Sequence, residues 1–194
     1  KPQLVRGTAA NSQVRFGILG CGGRGTAVGS GFVQDAGARV TALADLFGDQ
    51  LDAAHKHFDE IQQAKGYAAI DSAQLYKSRY AYKEIVASKE VDFILITTPP
   101  YFHPHHLETV VDAGKHVYCE KPVAIDVPGA HHVIKIGEKV QGKLSLAVGF
   151  QIRVAPPMVE LTRRIQDGAL GKIACGLAYY YCGHIDRPEW PGSS

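Results

Sequence analysis

The chain has 194 residues, 21 Lys and Arg against 19 Asp and Glu for a net charge of +2, and 45% hydrophobic residues. That apolar fraction can fill a core, which excludes a disordered chain, and the near-balanced charge leaves no basic stripe for nucleic acid or a membrane surface. At roughly 150 residues per domain, the length suits one complete domain and the opening of another.

Residues 1–12 carry Pro, Gly, Ser and Asn without apolar periodicity, and a flexible arm is expected there. The chain begins Lys1-Pro2 without Met, which is compatible with a removed signal, so cytoplasmic and periplasmic or secreted locations both stay open. From Val14 to Leu19 a short apolar run reads as a buried strand, and six glycines then fall between Gly20 and Gly31. A crossover helix over 26–34 and a second apolar run over 39–44, ending at Asp45, complete a βαβ unit.

A helix is expected over 48–58. The stretch 59–77 is weakly patterned and gives no strand that the sequence alone can place. The strand signal resumes from Val91 to Thr97, and Thr98-Pro99-Pro100 ends it. A helix over 103–113, a strand over 116–119, a helix over 127–141 and a strand over 144–150 follow. Such alternation predicts an α/β fold, a doubly wound parallel sheet covered on both faces, over residues 13–150. Residues 151–194 offer a helix over 157–167, a Gly168–Gly171 turn and one strand over 172–181. A single strand cannot close a layer, so this portion is expected to be the incomplete start of a second α/β domain with an open sheet. Longest apolar runs such as Phe93-Ile94-Leu95-Ile96 are far short of the roughly 18 residues that span a bilayer.

Gly20-Cys21-Gly22-Gly23-Arg24-Gly25 is a G-x-G-x-x-G run that follows a strand, opens a helix and precedes Asp45 by 20 positions. In this setting Gly20 allows the tight turn, Gly22 admits a pyrophosphate to the backbone, and Gly25 permits close helix–strand packing. The helix N-terminus offers N–H groups and positive partial charge to phosphates. Asp45 is placed to accept hydrogen bonds from a ribose, or else is a surface acid or helix cap. Because a carboxylate repels a 2′-phosphate and Leu46-Phe47-Gly48 brings no Arg or Lys, NAD is favoured over NADP.

Thr97-Thr98-Pro99-Pro100 and Glu120-Lys121-Pro122 stand at the carboxyl ends of later strands, where ligands bind in open α/β sheets. Lys121 is the best candidate for proton exchange, a role that burial or neighbouring positive charge would favour; the plainer alternative is a solvated charge paired with Glu120. His103, His105 and His106 are not expected to share a metal, since adjacent helical residues point apart. They read as exposed helix-start histidines, with a cofactor or substrate contact for His103 as the intermediate option. The four cysteines form no C-x-x-C pair and suggest neither zinc nor a disulfide framework, and a Cys175–Cys182 bridge has no support.

Together these residues resemble the Gfo/Idh/MocA family of NAD(P)-dependent sugar and polyol oxidoreductases over about residues 14–181. The resemblance rests on the glycine run, on Thr98-Pro99 with His103, and on Ala113-Gly114-Lys115-His116-Val117 leading to Glu120-Lys121-Pro122. It extends through Val148-Gly149-Phe150-Gln151 with Arg153, and Gly168-Ala169-Leu170-Gly171-Lys172. It implies a Rossmann domain joined to a C-terminal substrate and oligomerisation domain, with the full-length protein a homo-oligomer through its C-terminal sheet. Gly20, Gly22, Gly23, Arg24, Gly25 and Asp45 would hold the dinucleotide, and Thr97, Thr98, Pro99, His103 and Glu120 would line its nicotinamide side. Lys121 would hydrogen-bond the reacting hydroxyl of a sugar or polyol, and Gln151 and Arg153 would lie toward that substrate.

One departure stands beside the match. Family catalysis usually adds a D-x-x-x-H pair from the second domain, and none follows Arg153; His184-Ile185-Asp186 runs in the opposite order. The expectation is a fragment rather than a short form. Three functions are weighed: an NAD-dependent oxidoreductase, an NAD-dependent glycosidase working by transient oxidation and elimination, and a non-catalytic dinucleotide-binding regulator. The presence of Lys121 argues against the third.

Overall fold

The computed structural model describes residues 13–181. The expected arm, Cys182 and the His184-Ile185-Asp186 segment lie outside the described residues. Two units are distinguished, divided between Phe150 and Gln151.

The first unit alternates strand and helix: β1 (Arg15–Leu19), α1 (Gly23–Asp35), β2 (Arg39–Asp45), α2 (Gly48–Gln63), β3 (Leu75–Lys77), α3 (Ala81–Ala87), β4 (Phe93–Ile96), α4 (His103–Asp112), β5 (His116–Cys119), α5 (Val127–Val140) and β6 (Leu146–Val148). The six strands form one sheet in the order β3-β2-β1-β4-β5-β6, and every pairing is parallel. This is the doubly wound Rossmann arrangement, and its strand order reverses between β1 and β4.

Alternation within the strands separates two apolar layers. Phe16 and Ile18 of β1, Leu43 of β2 and Leu95 of β4 pack with Val33 of α1 and Leu51, Ala54 and Phe58 of α2. Leu19, Ala42, Ile94, Ile96 and Val117 face the other way, onto Ile85 of α3, Leu107 and Val110 of α4 and Ile136 of α5. Burial on both faces is why these strands read as continuous apolar runs.

β3 and α3 are the elements that the sequence did not disclose. β3 has only three residues, too few for periodicity to register, and it is recognisable through its pairing of Tyr76 with Ala44 and Lys77 with Asp45. The second unit contains α6 (Gln151–Val154) and α7 (Pro156–Gln166), followed by turns at Gly168 and Gly171, both with positive φ. The strand expected over 172–181 is not formed: these residues carry no regular structure and all are exposed. An extended segment becomes a strand only when a neighbour takes its N–H and C=O groups, and no described segment of this unit does so. No helix among the described residues is long and apolar enough to cross a membrane.

Candidate active site

The site loops are held by hydrogen bonds that carry the sheet one residue past its strands. Gly20 N donates to Ala44 O, Thr97 N to Leu19 O, Glu120 N to Ile96 O and Gly149 N to Cys119 O, each at 2.9 Å. Four residues from four loops are thereby fixed in a row along the carboxyl edge of the sheet.

Gly20 turns the chain with φ +99°, and a Cβ there would lie 2.7 Å from the Thr98 nitrogen. At Gly25 a Cβ would collide with the Gly20 carbonyl and approach the Thr97 hydroxyl to 2.7 Å. The Thr97 hydroxyl itself donates to Gly20 O at 2.6 Å. Gly22 and Gly23 differ: the nearest atom to a Cβ on Gly22 is Gln50 Oε1 at 3.7 Å, and nothing lies within 4 Å of one on Gly23. The loop is therefore filled on the side of the sheet and open at the start of α1, as close approach of a diphosphate requires.

Asp45, at the end of β2, accepts from Cys21 N at 2.6 Å through Oδ2 and from Phe47 N at 2.8 Å through Oδ1. Each carboxylate oxygen retains a further lone-pair direction, so both hydroxyls of a ribose can still be accommodated. A cavity of about 520 Å³ opens beside it, lined by Gly20, Gly22, Asp45, Thr97, Thr98 and Pro99. That volume falls in the range of cofactor sites.

Phe47, Arg79, Tyr82 and Phe102, to which the sequence reading gave no role, also line this cavity, as does His106, which was expected to be exposed. Arg79 follows β3, so it could be located only with that strand. It brings a cation to the cavity where Leu46-Phe47-Gly48 has none, with its guanidinium over the Tyr80 ring at 4.6 Å. His106 is no exposed helix-start residue. It is 8% exposed, is hydrogen-bonded through Nδ1 to the Thr98 hydroxyl at 3.0 Å, and packs against the rings of Tyr82 and Phe102. Burial, with smaller contributions from His105 and His103, pushes its pKa down to about 4.

His103 is 1% exposed, with Nε2 2.6 Å from Thr98 O and Nδ1 2.7 Å from Pro122 O. It ties the loop after β4 to the loop after β5, and it is absent from the cavity wall. Glu120 has a side chain only 4% exposed, and its Oε1 lies 2.6 Å from Arg24 Nη2. The Glu120–Lys121 ion pair considered from sequence does not form; the glycine loop supplies the counter-charge instead. Leaving this buried carboxylate without its partner would be destabilising. Lys121 is exposed, its bond to Pro122 is cis, and among the described residues no hydrogen bond or ion pair engages its ammonium. Cys119 is no thiolate nucleophile, because burial and the Glu120 charge hold its thiol up at about 12. Burial raises the Cys21 thiol further still. No cluster of three or more potential metal ligands occurs among the described residues. Gln151 and Arg153 are exposed on α6 of the second unit.

Residues 14–150 match the family model described as the oxidoreductase family with an NAD-binding Rossmann fold. The chain belongs to that family, Gfo/Idh/MocA. Among relatives of this chain, inositol 2-dehydrogenase of Rhizobium meliloti strain 1021 is 30% identical over 161 residues, covering 82% of this chain and 43% of the relative. A glycosyl hydrolase family 109 protein of Solibacter usitatus is 28% identical over 131 residues, covering 68% of this chain and 29% of that protein. In fold, the apo scyllo-inositol dehydrogenase of Lactobacillus casei superposes with a TM-score of 0.68 at 22% identity, over 82% of this chain and 43% of that one. The chain thus spans less than half the length of these proteins.

Proposed function

We propose that the whole protein transfers a hydride between a hydroxyl-bearing carbon of a sugar or polyol and NAD, with Lys121 holding the reacting hydroxyl. The observation that carries this reading is the position of Lys121 just past the carboxyl end of β5, with its ammonium in no ion pair among the described residues and Arg24 on the neighbouring Glu120. When bound, the nicotinamide supplies the hydride acceptor. Gly20, Gly22, Gly23 and Gly25 shape the diphosphate loop, Asp45 accepts the ribose hydroxyls, and Thr97, Thr98 and Pro99 wall the space next to them. In the oxidation the unprotonated Lys121 amine would take the hydroxyl proton as the carbon's hydride passes to the nicotinamide, and in the reverse direction the ammonium would return that proton. Gln151 and Arg153, with further residues of the substrate domain, would select the sugar.

The test is NADH formation at 340 nm by the whole protein with myo-inositol, scyllo-inositol and free hexoses. Lys121→Ala should lower turnover by about 10²–10⁴-fold, with NADH affinity unchanged. Undiminished turnover in that variant overturns the role of Lys121. Similarity to the glycosyl hydrolase family 109 protein favours a second reading, transient oxidation followed by elimination of an aglycone. Release of nitrophenol from nitrophenyl glycosides without net NADH would select it. Dinucleotide binding with neither product would select the regulator.

A further inference from the structure

The ion pair between Arg24 and Glu120 joins positions 96 apart in sequence and links the glycine loop directly to the turn that carries Lys121. The Glu120 carboxylate is fixed on three sides. Arg24 Nη2 lies 2.6 Å from Oε1, the Lys121 backbone N–H donates to Oε2 at 3.2 Å, and a Cβ on Gly149 would collide with the carboxylate.

Unequal exposure decides which partner depends on the other. The Arg24 side chain is 42% exposed and the Glu120 side chain 4%. Water already reaches the guanidinium and would go on solvating it if the pair opened, whereas the carboxylate, 4% exposed in the pair, would lose its cation at a largely buried position. A diphosphate at the start of α1 has the helix N-terminus to receive it and gains less from Arg24 than Glu120 would lose.

We propose that Arg24 stays on Glu120 when the dinucleotide is bound and acts as a positioning residue: it fixes the carboxylate, and through the carboxylate the backbone of Lys121. The inference rests on the role of Lys121 set out above. It assigns Arg24 to the placement of the proton-handling group, in contrast to the cofactor contact expected from the motif.

The experiment compares the whole protein with R24M, R24K, E120Q and the R24M/E120Q double variant. Three readings are taken: NADH affinity by fluorescence, turnover at saturating NAD, and the NMR resonance of ¹³C-methylated Lys121, assigned by its loss in Lys121→Arg. R24M and E120Q should each lower turnover by about tenfold or more while NADH affinity stays within about threefold. If both residues act through their shared ion pair, the double variant should be no worse than the poorer single, and R24K should recover part of the loss. The Lys121 resonance should move in R24M and in E120Q. If R24M weakens NADH more than about tenfold and turnover at saturating NAD is intact, Arg24 is a phosphate ligand and the proposal fails. Multiplying losses in the double variant also overturn it. Should the wild type turn over neither polyols nor glycosides, the oxidoreductase reading fails and the resonance decides alone: unmoved in both single variants, it refutes the link; moved, it supports it. If R24M does not fold, R24K and E120Q carry the same comparison.

Discussion

His106 gives the site a pH-dependent component of stability. Its imidazole is held down at about 4 by burial first, then by His105 and His103, whereas in an unfolded chain it titrates near 6.5. Between those values the unfolded state binds the extra proton, so stability falls as pH falls from about 6.5 toward 4 and is unaffected by this group above about 6.5. The full shift corresponds to about 3 kcal/mol. Urea unfolding at pH 7, 6 and 5 should show a steeper loss in the wild type than in His106→Phe; parallel curves would contradict the assignment. Gly25 and Gly23 give a contrast that needs no titration. Gly25→Ala drives a methyl into the Gly20 carbonyl and should cost about 1–3 kcal/mol or more together with dinucleotide binding, whereas a methyl on Gly23 meets nothing within 4 Å and should leave the melting temperature nearly unchanged. Equal melting temperatures for the two variants would show that the glycine loop is not filled as described.

Strands and helices were legible in proportion to how much of their own chemistry they carry. β1, β2, β4 and β5 are buried on both faces, so their apolar runs announced them, and the carboxyl ends of those strands were therefore placed correctly. α5, expected over 127–141, carries a cap that the sequence reading did not use: the Asp126 side chain accepts from Gly129 N at 2.7 Å, with Pro128 in the first turn. β3 was not legible, because three residues cannot display a period and its identity lies in pairing with β2. Arg79 and Tyr82 were lost with it. The run 172–181, rich in tyrosine, has the composition of a strand and forms none, since β-propensity records the fit of side chains to a pleated neighbour. Roles within the site were the least legible. Nothing in Arg24 or Glu120 taken singly shows that two residues 96 apart neutralise one another, or that His103 spends both ring nitrogens on backbone carbonyls.

At the scale of the molecule, the first unit brings the glycine loop, Asp45 and the Thr97-Thr98-Pro99 turn to one edge of a six-stranded parallel sheet, around the position where strand order reverses. That placement follows from topology, since in open α/β sheets a crevice forms where crossovers leave on opposite faces. On the reading proposed above, this edge is the dinucleotide site. Calorimetric titration of the whole protein with NAD tests it most directly, alongside Asp45→Ala, which removes a charge-assisted acceptor worth about 1.5–3 kcal/mol. One NAD site per chain is expected, weakened by about tenfold or more in Asp45→Ala. Absence of NAD binding in the wild type, or the same affinity in Asp45→Ala, would contradict it.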